Sequence, residues 1–214
     1  MRAVMDPGRS ARIVRALRRL YGDPAPSLKC GDLYQTVVSV ILSAQTTDTQ
    51  VNAATPALFK RYPDFGALAK ADTATVEALI KSTGFYRDKA KHIVETARAV
   101  MERFDGVLPD TREELMSLPG VGRKSANVIL AMGYGRPAMA VDTHVLRVSN
   151  RLGYCSTDDP AEAEKALTRY IPERDWISGH LLFITHGRRL CRARRPLCAD
   201  CPLSPLCDAP DKTL

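Results

Sequence analysis

Apolar residues recur at helical spacing almost throughout this chain, and no stretch shows sustained strand alternation between hairpin turns. The pattern predicts an all-α protein. Over residues 10–21, Ile13, Val14, Leu17 and Leu20 share one face, while Arg12, Arg15, Arg18 and Arg19 lie largely opposite. That basic face is either a solvated helix surface or a contact for a polyanionic backbone. Residues 33–43 are apolar nearly all round and read as a buried central helix. Thr47 or Asp48 can cap the next helix, and Pro56 in its interior predicts a kink or break. Shorter helices are expected near 64–69 and 73–82, then a longer one over 87–104.

Asp110-Thr111-Arg112-Glu113-Glu114-Leu115 has a capping residue and first-turn acids, and residues 125–132 read as the helix that follows. Between them, Pro119-Gly120-Val121-Gly122 leaves room only for a tight hairpin. Its glycines open backbone angles closed to other residues and leave no side chain to hold a ligand off. Their N–H groups and the start of the second helix form a small positive concavity suited to a phosphate oxygen. Gly84-Phe85-Tyr86-Arg87-Asp88-Lys89-Ala90 can be laid over Gly120 to Ala126, 36 residues later, with Gly, Arg and Ala in common. It reads either as a second, degenerate hairpin or as a chance match of two loop-to-helix starts.

Beyond the hairpin, Gly133-Tyr134-Gly135-Arg136-Pro137 is a turn-rich link and the best candidate for a domain crossing. Asp142 or Thr143 opens a helix to about Leu152, Asp159-Pro160 opens another, and Pro172 opens the last, which ends near Arg189. A length of 214 residues allows one large domain or two small ones. The net charge of +7, from 31 Lys and Arg against 24 Asp and Glu, suits a polyanionic partner. No apolar run is long enough to span a membrane, and the N-terminus lacks the apolar core of a signal peptide.

Cys191, Cys198, Cys201 and Cys207 fall within the last 24 residues, with six, two and five residues between them. Pro196, Pro202 and Pro205 stiffen that loop, whereas Cys30 and Cys155 stand apart and read as small core residues. Zinc ribbons usually carry two paired knuckles separated by a longer span. One C-x2-C flanked by single cysteines instead favours a [4Fe–4S] cubane with one thiolate on each iron. A cluster there would fix the loop carrying Arg192, Arg194 and Arg195, just after Arg188 and Arg189. Those arginines form either a phosphate-contacting finger or a solvated basic loop.

Leu118-Pro119-Gly120-Val121-Gly122-Arg123-Lys124, followed by Ala140-Val141-Asp142-Thr143-His144-Val145 with Asp142 eighteen residues beyond Lys124, resembles the endonuclease III family of DNA glycosylases. The cysteine spacing matches the same family's cluster motif, and the resemblance covers roughly residues 30–207. It implies two α-domains with a cleft between them. Residues 26–137 would form a six-helix bundle holding the helix-hairpin-helix, and residues 1–25 with 138–214 the iron–sulfur domain. It also implies a partner in duplex DNA that carries damaged pyrimidines or abasic sites. The cysteine usage and the missing signal-peptide core point to a cytoplasmic protein, nucleoid-associated through DNA and independent of membranes, with monomer as the default state.

The activity so implied is removal of oxidised pyrimidines, followed by β-elimination at the resulting abasic site. A lysine beside a phosphate-binding hairpin is ordinarily one more phosphate contact, but the resemblance assigns Lys124 as nucleophile and Asp142 as the essential carboxylate. The helix dipole and the neighbouring Arg123 both disfavour a cation at Lys124, as a neutral attacking amine requires. Taken by itself, Asp142 is equally suited to be a helix N-cap. Gln45 matches the family's loop glutamine that inserts into the duplex. Phe85 stands where the family carries an aliphatic wedge, and as an aromatic it is either a stacking group or a core residue. Gly120, Val121, Gly122 and Arg123 on the hairpin, with Arg188, Arg192, Arg194 and Arg195 on the cysteine loop, complete the expected DNA contacts. Two other readings stand beside this one. A monofunctional mismatch glycosylase of the same superfamily would lack the hairpin lysine and carry a further C-terminal domain. A non-catalytic helix-hairpin-helix protein would bind DNA without chemistry.

Overall fold

Side-chain caps set most of the helix starts in the computed structural model, which describes residues 5–213. Asp6 Oδ1 accepts the N–H groups of Gly8 at 2.7 Å and Arg9 at 2.9 Å, so helix α1 runs Pro7–Tyr21. It begins three residues before the predicted start, because Pro7 takes the first helical position, where a missing N–H is harmless. Ile13, Val14 and Leu17 are buried, but Leu20, expected on the same face, is 41% exposed.

The chain forms two compact units, one of Pro26–Arg136 and the other of the segments on either side of it. In the first, Asp32 caps α2 (Leu33–Leu42), whose residues from Thr36 to Leu42 are all buried, as its apolar circumference predicts. Helix α3 (Asp48–Arg61) starts on a reciprocal capping box between Thr47 and Gln50. It passes through Pro56 without the predicted break. Its buried residues, Val51, Ala54, Thr55 and Leu58, lie on both sides of the proline, and that packing outweighs the one lost backbone bond.

Helices α4 (Phe65–Ala69) and α5 (Thr73–Ile80) follow, and α5 tightens into a 3₁₀ turn at Lys81–Thr83 instead of continuing. The eighteen-residue α6 (Tyr86–Arg103) packs against α4 and α5 and buries Lys89, Ala90, Ile93, Val94, Ala97 and Val100. The short α7 (Arg112–Met116) and then α8 (Arg123–Gly133) complete the unit, with α8 against α2.

The second unit holds α9 (Thr143–Arg151), α10 (Pro160–Tyr170), a 3₁₀ turn at Glu173–Asp175, α11 (Trp176–Arg189) and a 3₁₀ turn at Ser204–Leu206. Helix α1 belongs to this unit and packs on α11. Its Ile13 and Leu17 join Val145, Val148, Leu167 and Phe183 in one core. Ser10 bonds the Tyr154 hydroxyl at 2.9 Å, and Arg18 reaches Asp175 at 3.1 Å, so part of the basic face of α1 is paired and not simply solvated. Buried Arg9, which the periodicity did not single out, donates to Leu206 O at 2.8 Å and to Asp208 at 2.7 Å. Cys30 and Cys155 are both half-buried; Cys155 packs against the core of this unit, whereas Cys30 is not the fully buried residue expected. Among the described residues there is no strand, and no helix is long and apolar enough to cross a membrane.

Leu17 is fully buried where the N-terminal helix meets the C-terminal segment. Leu17→Ala is expected to destabilise that unit by about 2–5 kcal/mol in denaturant titrations. A loss under about 0.5 kcal/mol, the level of an ordinary surface change, would mean that α1 is not integral to the core.

Candidate active site and cysteine centre

The Pro119–Gly122 hairpin is built from beneath. Thr111 caps α7, Leu118 and Val121 are buried, and the Val121 N–H closes the turn on Leu118 O at 3.1 Å. From α6, Thr96 donates to Pro119 O at 2.6 Å, and Arg103 donates to the Ser117 hydroxyl at 2.7 Å. Gly120 has φ +74°, and a Cβ there would lie 2.9 Å from His92 Cβ, so both conformation and crowding require glycine. Gly122 differs: its φ is −89°, and a Cβ would meet nothing within 4 Å. Nothing inside the protein requires that residue to be glycine.

Gly122 is the N-cap of α8, and no side chain caps this helix. Lys124, second in the helix, is exposed, and Arg123 is half-buried. Val121, expected among the outward contacts, instead points into the core and spends its N–H on the turn; it shapes the hairpin and does not face out of it. The other Gly turn shares part of this design. Gly84 has φ +63°, and α6 also begins without a side-chain cap. Its next residue diverges, because Phe85 is itself left-handed at φ 46° and is 64% exposed. Exposure rules out the core reading of Phe85. Gln45, between α2 and α3, is likewise exposed with φ 52°. Non-glycine residues held left-handed store strain, and such strain gathers at functional sites.

In the other unit, Asp142 is the N-cap of α9: its Oδ1 accepts the Val145 N–H at 2.8 Å. His144, half-buried next in line, is pushed below the ordinary histidine range chiefly by burial, with Arg147 and Arg188 adding to the effect and Asp142 opposing it. His144 therefore stands beside a carboxylate and within the field of two arginines, and it gives up a proton more readily than a free imidazole.

The far end of α9 holds the cysteine loop. Arg147 donates to Cys191 O at 3.1 Å and to Gly187 O at 3.0 Å. Arg151 donates to Arg192 O at 2.6 Å and to Cys191 Sγ at 3.4 Å, and also pairs with Asp211. Neither arginine was singled out from the sequence, and the only signal was their spacing of four residues, which puts them on one face of α9. Arg188, Arg192, Arg194 and Arg195 are exposed on this braced segment, and Arg195 is left-handed at φ 51°.

Cys191, Cys198, Cys201 and Cys207 are free thiols lining one cavity together with Leu152, His186 and Leu203. No three of the described His, Cys, Asp and Glu side chains converge as ligands of a single metal ion would. The four sulfurs instead share the wall of the cavity. Burial raises the pKa of the Cys201 and Cys207 thiols, and the charges of the other cysteines add to the rise. Four thiolates can coexist there only around a centre that supplies positive charge, and an all-sulfur donor set suits a soft one. The residues therefore fit an iron–sulfur cluster.

A family profile described as HhH-GPD superfamily base excision DNA repair protein matches residues 38–173. The chain is 48% identical to an endonuclease III of Synechocystis over 93% of its own length and 91% of the relative's. It is 35% identical to the endonuclease III of Escherichia coli K12, covering 97% of this chain and 99% of that one. Among solved structures, a trapped endonuclease III–DNA covalent intermediate superposes with a TM-score of 0.91 at 38% identity, covering 96% of this chain and 97% of that chain. A thermostable thymine-DNA glycosylase superposes at 0.83 with 25% identity, covering 94% and 96%.

The two hairpin glycines should separate cleanly on substitution. Gly120→Ala is expected to destabilise the protein by about 1–3 kcal/mol, since it meets both a left-handed φ and His92. Gly122→Ala, which meets no contact, should cost only the ordinary penalty of alanine at an N-cap, about 0.5–1 kcal/mol, in the same thermal melts.

Proposed function

The chain belongs to the endonuclease III family, within the HhH-GPD superfamily of base excision DNA repair proteins, and is a DNA glycosylase and abasic-site lyase; beyond this, we propose that it removes oxidised pyrimidines from duplex DNA through a Schiff base on Lys124. The observation that carries the reading is the hairpin. An exposed lysine sits in the first turn of a helix without a side-chain cap, directly after a glycine that no internal contact explains. A DNA phosphate brought to that turn explains Gly122, because a side chain would hold the backbone away from it. Arg123 and the exposed arginines of the cysteine loop supply further phosphate contacts, and Gln45 and Phe85 enter the base stack.

In the proposed chemistry the neutral Lys124 amine bonds to C1′ as the bond from C1′ to the base breaks, and the base leaves with a proton. Ring opening gives an imine between Lys124 and C1′. The imine acidifies C2′, and loss of that proton expels the 3′ phosphate. Asp142 is assigned the carboxylate role: it stabilises positive charge developing on the sugar and takes up a proton in transit. Its N-cap bond is compatible with this role, since capping by Oδ1 fixes the carboxylate's orientation.

We assign Cys191, Cys198, Cys201 and Cys207 to a [4Fe–4S] cluster, one thiolate per iron. When bound it would supply the positive charge that four neighbouring, half-buried thiolates need and tie the loop bearing Arg192, Arg194 and Arg195 into a fixed shape. The chain's own contribution is Arg147 and Arg151, which hold the backbone of that loop from α9.

Borohydride trapping on a duplex with one thymine glycol tests the nucleophile. The wild-type protein should give a covalent adduct that Lys124→Ala abolishes, while Asp142→Asn, which keeps a capping side chain, should slow adduct formation by about 10²–10⁴-fold. Adduct persisting in Lys124→Ala would remove that residue from the role. For the cluster, anaerobically prepared protein should contain iron and sulfide and absorb at about 400 nm, and Cys198→Ser should lose both iron and absorbance. Stoichiometric zinc in place of iron would overturn the assignment.

A further inference from the structure

Lys89 is the one lysine among those described as buried, at 4% exposure, and it lies four residues into the helix that begins after Phe85. Its backbone N–H donates to Phe85 O at 3.1 Å, and its Nζ donates to Thr83 O at 2.8 Å and to Thr46 Oγ1. Thr46 Oγ1 in turn donates to Thr83 O. Thr46 directly follows Gln45, and Thr83 lies two residues before Phe85. One ammonium therefore joins the two loops whose tips, Gln45 and Phe85, are exposed and left-handed.

Burying an ammonium is costly, and among the described residues no carboxylate pairs with this one. Desolvation accordingly lowers its pKa. An apolar side chain would fill the same space more cheaply and leave no orphan, because Thr83 O would still accept from Thr46. What an apolar residue could not do is direct several donors from one atom to two separate loops. Stability alone thus does not account for a lysine here.

We propose that Lys89 is a positioning residue for base extrusion: by bridging Thr46 and Thr83 it holds the Gln45 loop and the Phe85 turn at one fixed separation, so that the two side chains enter the duplex as a single unit. The inference rests on the reading of Gln45 and Phe85 as inserting residues. Lys89 itself is buried and touches no substrate.

The test is a double-mutant cycle of Gln45→Ala and Phe85→Ala on the rate of thymine-glycol excision from duplex, run in the wild-type, Lys89→Met and Thr46→Val backgrounds. In the wild-type background the two substitutions should be coupled, departing from additivity by about fivefold or more. In the Lys89→Met and Thr46→Val backgrounds they should be additive within about twofold. Lys89→Met alone should slow duplex excision by about tenfold or more while its melting temperature stays level or rises, as expected when a buried unpaired charge is replaced. Its cleavage of an abasic site in single-stranded DNA, which has no stack to open, should be unchanged. Coupling that survives in both backgrounds, or an equal loss on the single-stranded substrate, would overturn the proposal. If Gln45→Ala and Phe85→Ala each leave duplex excision unaltered, it is the insertion reading that fails, and the role of Lys89 fails with it.

Discussion

One stripe of α6 holds the working surface of the Pro26–Arg136 unit in place. Lys89, His92, Thr96 and Arg103 follow one another at helical spacing behind the N-cap Phe85. Lys89 bridges Thr46 and Thr83, His92 lies under Gly120, Thr96 holds Pro119, and Arg103 holds Ser117. The Gln45 loop, the Phe85 turn and the Pro119–Gly122 hairpin are therefore all referenced to a single rigid element. Each loop alone would be free to move, and α6 converts three flexible tips into one surface of defined shape.

The other unit uses the same economy. Helix α9 is only nine residues long, yet Asp142 caps its start while Arg147 and Arg151 near its end grip the backbone around the cysteines. The carboxylate and the cysteine loop thus share one short strut. Distortion of the loop is expected to be felt along α9, which gives the cysteine segment a mechanical bearing on Asp142.

Much of this was legible in the sequence because it depends on local chemistry. The Pro-Gly-Val-Gly hairpin, the helix starts at Thr47, Thr111 and Asp159, and the four clustered cysteines are short-range signals, and helical periodicity suffices for an all-α reading. What was not legible depends on contacts between distant positions. Thr46 and Lys89 are separated by 43 residues, Arg147 and Cys191 by 44, and Arg9 and Asp208 by 199. The continuity of α3 through Pro56 is a tertiary override of a local rule: burial on both sides of the proline decided it. Phe85 could be read as core or contact because apolar side chains serve both, and only the left-handed backbone that turns it outward decides between them.

The interruption of one unit by the other also sets an order in time. Residues 26–136 form a continuous stretch whose main helix contacts, including that of α2 with α8, lie within it, so their packing does not wait for later sequence. Helix α1 is made before that stretch, yet its partner α11 (Trp176–Arg189) is made after it. Until then its buried face, with Ile13, Val14 and Leu17, must stay unsatisfied through synthesis of the whole intervening unit. Arg12, Arg15 and Arg19, exposed opposite that face, give the waiting helix a charged side, which favours solubility. Docking of α1 on α11 then joins the two outer segments into one unit.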